Sequence, residues 1–311
     1  MEENIVKVLK ENNLYDKYNP LKNNSINKPN EFFKTYKINP TNKSRLPNNI
    51  IRDDKKRIIL DEIPFVASNI TVEGRTLSNW LILNNGTKIL IKNNINNKNN
   101  TSELLLMYFI KLLNVSCANY DIGILNDKEY LISINFLKNK ERIFEVFKNV
   151  PSIDKGYEKL KTYGSDIHFL KTCFIDNITG NIDRFPKNFG VIVGGKYNFK
   201  TIKGRICPLY DNADINSLFF REDKFGFCPS IGKTFSNPNE IFNYLLSYEQ
   251  INAWVNSSFK KANLYNAAQM LYKEKKIYVD SELYNMFETF FKDSESIINE
   301  ELKGNCKIKL V

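Results

Sequence analysis

The sequence predicts an α+β protein, with a small β-rich N-terminal lobe followed by a larger, mainly helical lobe. Three observations carry that expectation. Asn85-Gly86 separates two short apolar runs, a strong hairpin signal. Leu104, Tyr108 and Leu112 recur at helical spacing, and two more strand-like runs follow them. Beyond Leu137 helical patterns dominate up to Val311. The 311 residues, 42% apolar and 26% charged, have a globular balance and ample length to bury a core.

Taken in order, residues 1–56 read as an N-terminal extension. A short helix over 5–14 leads into Asn-, Lys- and Pro-rich sequence (Asn19-Pro20, Asn39-Pro40, Leu46-Pro47) that has turn signals and little periodicity. The simplest reading is an arm lying on the main body, and a dedicated binding arm is the alternative. The small lobe spans 57–137, with strands over 63–70, 77–83 and 87–92, a polar loop over 93–101 and a helix over 102–114. Strands over 120–125 and 130–136 complete it around the turn Asn126-Asp127-Lys128. The large lobe spans 138–311, with helices expected over 140–149 and 157–178. A strand pair over 189–193 and 201–209 follows, then three or four helices over 239–302. No internal repeat is present.

Composition closes several routes. The longest apolar stretch, 104–110, is far short of the roughly 18 residues of a membrane span. The start, Met1-Glu2-Glu3-Asn4, is acidic and shows no hydrophobic leader. The cytoplasm is therefore the expected compartment, with unconventional export to a host cell left open. Five scattered Cys, never spaced as CxxC, read against a disulfide scaffold and structural zinc. His168, the single histidine, sits in an apolar helical stretch and reads as packed. A two-His metal site is thus impossible and a His-based triad a poor fit, so acid–base chemistry falls to carboxylates, Lys or Tyr. The 44 Asn are read as compositional bias.

The net charge of +10 suits a phosphate-bearing partner. Aromatic residues are spread through the chain rather than interleaved with basic ones, which reads against a base-stacking platform for nucleic acid. The run Lys273-Glu274-Lys275-Lys276 reads as a solvated helix end.

The most informative segment runs from Asp176 to Asp211. Asp183 and Asn188 lie in a loop closed by Pro186 and Gly190, and Asp211 ends an apolar strand, where a carboxylate has little structural purpose. Phosphoryl transfer needs such a trio. One carboxylate orients the attacking hydroxyl and accepts its proton, while an amide oxygen and a second carboxylate hold Mg²⁺ across the nucleotide phosphates. Arg184 and Lys187 flank these positions and suit either substrate phosphate or acidic neighbours.

The stretch Gly180-Asn181-Ile182-Asp183-Arg184-Phe185-Pro186-Lys187-Asn188-Phe189-Gly190, with Pro208-Leu209-Tyr210-Asp211, resembles the catalytic and metal-binding motifs of HipA-like serine/threonine kinases, above all their small members. The resemblance implies a two-lobed protein-kinase-like fold of the phosphoinositide-kinase type, with ATP and Mg²⁺ as cofactors. It further implies a protein acceptor with Ser or Thr and an antitoxin-like partner. By it Asp183 is the catalytic Asp, and Asn188 and Asp211 are Mg²⁺ ligands. Phe185 stands where family members usually carry His, at a position that is not a ligand.

Lys92, closing a strand, and Glu103, opening the next helix, match the family's strand Lys and helix Glu in order and spacing. The adenine is expected against the connector 132–137, with Ile134 and Phe136 as contacts. No GxGxxG precedes Lys92. Residues 67–78, with Gly74 and the hydroxyls of Ser68, Thr71, Thr76 and Ser78, stand where HipA-like kinases place their phosphate loop. One of these hydroxyls is an expected autophosphorylation site, with an ordinary strand–turn connection as the plain alternative. Two rival functions stay open: a lipid or small-molecule kinase of the same fold, and a non-catalytic, toxin-like module that binds nucleotide or nucleic acid. The complete trio argues against a decayed kinase.

Overall fold

The computed structural model describes residues 34–36, 45–71, 77–93, 97–138, 141–144, 153–181, 190–194, 205–212, 227–228, 233–234 and 238–308. The chain divides into two compact units. One comprises 1–100, 118–141 and 273–277, and the other 101–117, 142–272 and 278–311.

The first unit is built on a six-stranded sheet of β1 (Ile58–Ile59), β2 (Phe65–Thr71), β3 (Leu77–Leu83), β4 (Lys88–Asn93), β5 (Asn119–Leu125) and β6 (Lys128–Ile134). Its order is β1-β5-β6-β4-β3-β2, antiparallel except where β1 runs parallel to β5. The Asn84-Asn85-Gly86 signal makes the expected β3–β4 hairpin. Leu83 N–H donates to the Thr87 carbonyl at 2.9 Å, and Gly86 holds a φ of 84° that an L side chain rarely adopts. Asn126 and Asp127, with φ of 50° and 60°, close the two-residue turn from β5 to β6. Leu81 and Leu83 on β3, and Ile89 and Ile91 on β4, alternate into one core with Ile58, Leu60 and Ile132. Leu46 and Ile50, from the segment expected to lie on the main body, pack against that core. The N-terminal helix expected over 5–14 lies outside the described residues.

A buried carboxylate ties three stretches of this unit together. Asp121, 3% exposed, accepts from Arg52 Nη2 and from Lys275 Nζ, each at 2.8 Å. Lys56 Nζ also donates to the Lys273 carbonyl at 3.1 Å. The basic run at 273–276 is therefore not simply a solvated helix end. A sequence window cannot show that Lys275 meets a partner 154 positions away.

The second unit contains most of α1 (Asn97–Leu112), then α2 (Ile153–Lys161), α3 (Asp166–Ile178), α4 (Pro238–Leu246), α5 (Glu249–Ser257), α6 (Leu264–Lys275, which ends in the first unit) and α7 (Ser281–Ile308). Phe174 of α3 is its aromatic centre, with edge contacts at 5.3 Å to Phe242, Trp254 and Phe259. Phe109 of α1 meets Phe291 of α7 at 5.3 Å, and Trp254 Nε1 donates to the Leu113 carbonyl just past α1. These contacts fix α1 to the second unit's core.

Three sequence expectations change. Helix α1 starts at Asn97 rather than Ser102, because Asn100 and Ser102 are buried and tertiary burial outweighs the weak helix propensity of Asn, Thr and Ser. The helix expected over 140–149 is replaced at its start by strand β7 (Glu141–Phe144), which lies in a sheet ordered β7-β8-β9 with β8 (Val191–Gly194) and β9 (Arg205–Ile206). A short apolar run does not distinguish strand from helix without its pairing partner. The single helix expected over 157–178 is two, parted at Gly164. Gly164, with φ of 64°, donates to the Lys161 carbonyl while Ser165 donates to that of Leu160, the glycine-capped helix end that turns the chain.

Replacing Asp121 with Ala should destabilise the protein by about 3 kcal/mol, because Arg52 and Lys275 lose a shared buried partner. Urea unfolding read by circular dichroism checks this. The Asp121→Ala cost should shrink when Lys275 is already Met.

Candidate functional site

The end of α3 delivers the chain to the segment that carries the motif. Gly180, with φ of 72°, donates to the Asn177 carbonyl at 3.4 Å, and Asn181 N–H donates to that of Asp176 at 2.8 Å. This repeats the glycine-capped ending of α2. The Asn181 side chain adds a second tie, donating from Nδ2 to Asp176 Oδ1 at 3.0 Å. Asp176 and Asn181 are 2% and 3% exposed, so their hydrogen bonds replace water that burial removed. Asp183, Asn188 and the flanking Arg184, Phe185 and Lys187 lie outside the described residues.

The chain returns at β8, which pairs with β9 in the register Val191↔Ile206 and Ile192↔Arg205. Cys207 N–H donates to the Gly190 carbonyl at 3.1 Å and extends that pairing. Beyond β9 the chain changes neighbours. Leu209 N–H donates to the Ser116 carbonyl at 2.9 Å, and Leu209 bridges Cys117 in parallel. Three residues later Asn212 N–H donates to Glu103 Oε2 of α1 at 3.3 Å. Asp211 sits between these anchors with a φ of 51°. That backbone region is strained for most L residues and is entered most readily by Asn and Asp. Asp211 is half-buried in irregular backbone five residues beyond β9, not at the end of the strand expected over 201–209, because the ladder with β8 stops at Ile206 and only the isolated bridge at Leu209 follows.

Glu103 is 4% exposed and Asn212 is 1% exposed. Cys117 is close by: burial pushes its thiol up to about 11, with Lys111 pulling it down and Glu103 adding to the rise. Cys117, Cys173 and Cys207 are free thiols.

The other candidates lie on the first unit. Lys92 is half-buried on β4, an interior strand, opposite Ser78 of β3 and Leu131 of β6, with its ammonium 5.9 Å from the Tyr120 ring centre. It is not the solvated edge residue that a strand-end Lys commonly is. Ile134 ends β6 and packs on the sheet core, and Phe136 is half-buried in the connector. Two connector amides are engaged. Asn135 N–H donates to the Lys88 carbonyl at 3.0 Å, and Leu137 N–H donates to Asn135 Oδ1 at 3.0 Å. In the stretch 67–78, β2 and β3 pair with a register shift between Ala67 and Thr71. Gly74 and Thr76 lie outside the described residues.

Sequence reasoning identified Asp211 and Glu103 but not Asp176, Asn181 and Asn212, which brace the segments around them. The signal was Asp176-Asn177-Ile178-Thr179-Gly180-Asn181, a polar cluster closing an apolar helix at a glycine. Among the described residues, no group of three or more His, Cys, Asp or Glu side chains is placed to hold a metal ion. No described helix is long and apolar enough to cross a membrane.

No family model matches the sequence, and no curated protein matches it. Among solved structures, the chain is similar to the Helicobacter pylori proinflammatory kinase CtkA. The TM-score is 0.56 at 12% identity, over 73% of this chain and 95% of that one. It is also matched to the HipA, HipB and operator DNA complex of a Shewanella oneidensis MR-1 toxin–antitoxin system, with a TM-score of 0.46 and 13% identity over 83% of this chain and 68% of that one. The likeness to CtkA shows the fold alone: this chain has the α+β, kinase-like fold of that protein.

The left-handed backbone at Asp211 makes Asp211→Gly more stable than Asp211→Ala by about 1 kcal/mol, a ranking that denaturant midpoints check. Cys117 should react with iodoacetamide at pH 8 at least about tenfold more slowly than a free cysteine. Its rate should climb about tenfold per pH unit toward pH 11, because the reactive thiolate forms only there. Peptide mass spectrometry across a pH series reads this directly.

Proposed function

We propose that the protein is a Mg²⁺-dependent ATP phosphotransferase, specifically a serine/threonine protein kinase of HipA-like type. The observation that carries the reading is Asp211, a half-buried carboxylate that follows an apolar run and is held in a left-handed backbone. Backbone strain of this kind is typical of functional positions. In a kinase of this fold such a carboxylate would serve as a Mg²⁺ ligand, which is the role proposed for Asp211.

The donor chemistry fits. Mg²⁺ takes hard oxygen ligands, keeps several waters, and needs one or two protein groups besides substrate phosphates. Asp211 and Asn188 would supply those groups. When bound, the Mg·ATP complex supplies a γ-phosphoryl whose charge the cation neutralises. Asp183 would orient the acceptor hydroxyl and take its proton. Lys92, central in its sheet, would hold α- and β-phosphate oxygens, and Glu103 would support the site from α1. Ile134 and Phe136 would cover the adenine. The division into a small lobe over 57–137 and a large lobe over 138–311 follows the same reading, as does self-modification at a hydroxyl of 67–78.

Protein Ser or Thr is the proposed acceptor, and an antitoxin-like protein is a proposed partner, both on the motif resemblance around Asp183 and Asp211. Whether the protein acts in the cytoplasm or in a host cell is independent of this chemistry.

The test is transfer from ATP labelled at the γ-position, in Mg²⁺, to the protein itself and to a panel of protein and lipid acceptors. The parent should label protein on Ser or Thr. Asp183→Asn, Asn188→Ala and Asp211→Asn should each lower the rate at least about a hundredfold. Labelled lipid in place of protein would move the acceptor class. No transfer to any acceptor, together with no ATP binding, would overturn the reading.

A further inference from the structure

The backbone that carries Asp211 is held on both sides by one stretch of chain. Leu209 N–H is taken by the Ser116 carbonyl at 2.9 Å and Asn212 N–H by Glu103 Oε2 at 3.3 Å. Ser116 and Glu103 both belong to the segment 101–117, which the second unit's core grips through Phe109 and through the bond from Trp254 to Leu113. Only Tyr210 and Asp211 lie between the two anchors. A left-handed Asp is less favourable than an extended one, so this local backbone relaxes unless something outside it holds it. Asn212 is 1% exposed, so its backbone N–H is shut off from water and the Glu103 carboxylate is the acceptor that stands in for water there.

We infer that Glu103 is a positioning residue for the metal ligand: by accepting the Asn212 N–H it locks Asp211 in the backbone conformation from which its carboxylate meets the cation. This differs from the role that family resemblance gives Glu103, which is to fix the strand Lys by opposite charge. The two roles make different demands. Fixing a Lys needs the negative charge. Accepting an amide proton needs only an oxygen, which Gln also presents in the same place. The inference rests on the reading of Asp211 as a metal ligand.

The experiment measures Mn²⁺ affinity by electron paramagnetic resonance of the free ion. It is carried out at saturating non-hydrolysable ATP analogue on the parent and on Glu103→Gln, Glu103→Met and Asp211→Asn. Hydrogen exchange at the Asn212 amide is followed in parallel. Met keeps the volume and removes the acceptor, so Glu103→Met should retain its packing. Expected are Mn²⁺ binding within about threefold of the parent and a protected Asn212 amide for Glu103→Gln. Glu103→Met should bind Mn²⁺ at least about tenfold more weakly and exchange Asn212 at least about tenfold faster. Equal loss of Mn²⁺ affinity in Gln and Met would overturn the inference in favour of a charge-based role. So would parent-like affinity in Met alongside weakened binding in Asp211→Asn. Unchanged affinity in Asp211→Asn would instead remove the metal reading itself, and the inference with it.

Discussion

The N–H groups of Leu209 and Asn212, which flank Asp211, are taken by α1 and by the turn that follows it, and the candidate site depends on that arrangement. Leu209 is tied to the residue stretch just after α1, and Asn212 to a carboxylate in its second turn. Helix α1 and the turn after it can supply both because their position is fixed by aromatic packing of Phe109 against Phe291 and by the indole of Trp254 on the Leu113 carbonyl. The chain of cause runs from the aromatic core, through the helix, to two hydrogen bonds, and from there to one strained residue. None of these links needs a large energy. Each edge-to-face pair contributes about 1 kcal/mol and each neutral hydrogen bond about the same. Together they hold a backbone conformation that would not persist alone.

A parallel constraint organises the first unit. Asp121 is almost wholly removed from water and meets two cations from opposite ends of the sequence. Arg52 brings in the segment before the sheet, and Lys275 brings in the end of α6. A lone buried carboxylate would be expensive, whereas one with two partners makes the two outer segments part of the sheet's fold. The five residues 273–277 therefore belong to the first unit, although the helices on either side lie mostly in the second.

Much of the first unit was legible in the sequence because its signals are local. Asn85-Gly86 marks a turn whose φ only a few residues accept, and the period-2 runs of β3 and β4 state which face is buried. The elements that were missed are set by distant partners. The polar start of α1 is helical because Asn100 and Ser102 are buried. The run at 141–144 is a strand because β8 lies beside it. The break in the α2–α3 stretch was local, but it turned on a single residue, Gly164, and a helix-period count passes over one glycine. At the candidate site the residue types were readable, since a carboxylate closing an apolar run is unusual, although among the described residues the strand expected over 201–209 is only Arg205–Ile206. The bracing by Asp176 with Asn181 and by Glu103 with Asn212 was not, because the second pair is 109 positions apart.

On the proposed function, Asp211 holds the divalent cation for phosphoryl transfer. A crystal structure with Mg²⁺ and a non-hydrolysable ATP analogue tests it most directly. The account predicts a cation about 2.1 Å from an Asp211 carboxylate oxygen, octahedral, shared with nucleotide phosphate oxygens, and Asp211 still in its left-handed backbone. Nucleotide bound with its cation elsewhere, or an Asp211 relaxed to an extended backbone with its carboxylate away from the phosphates, would contradict it.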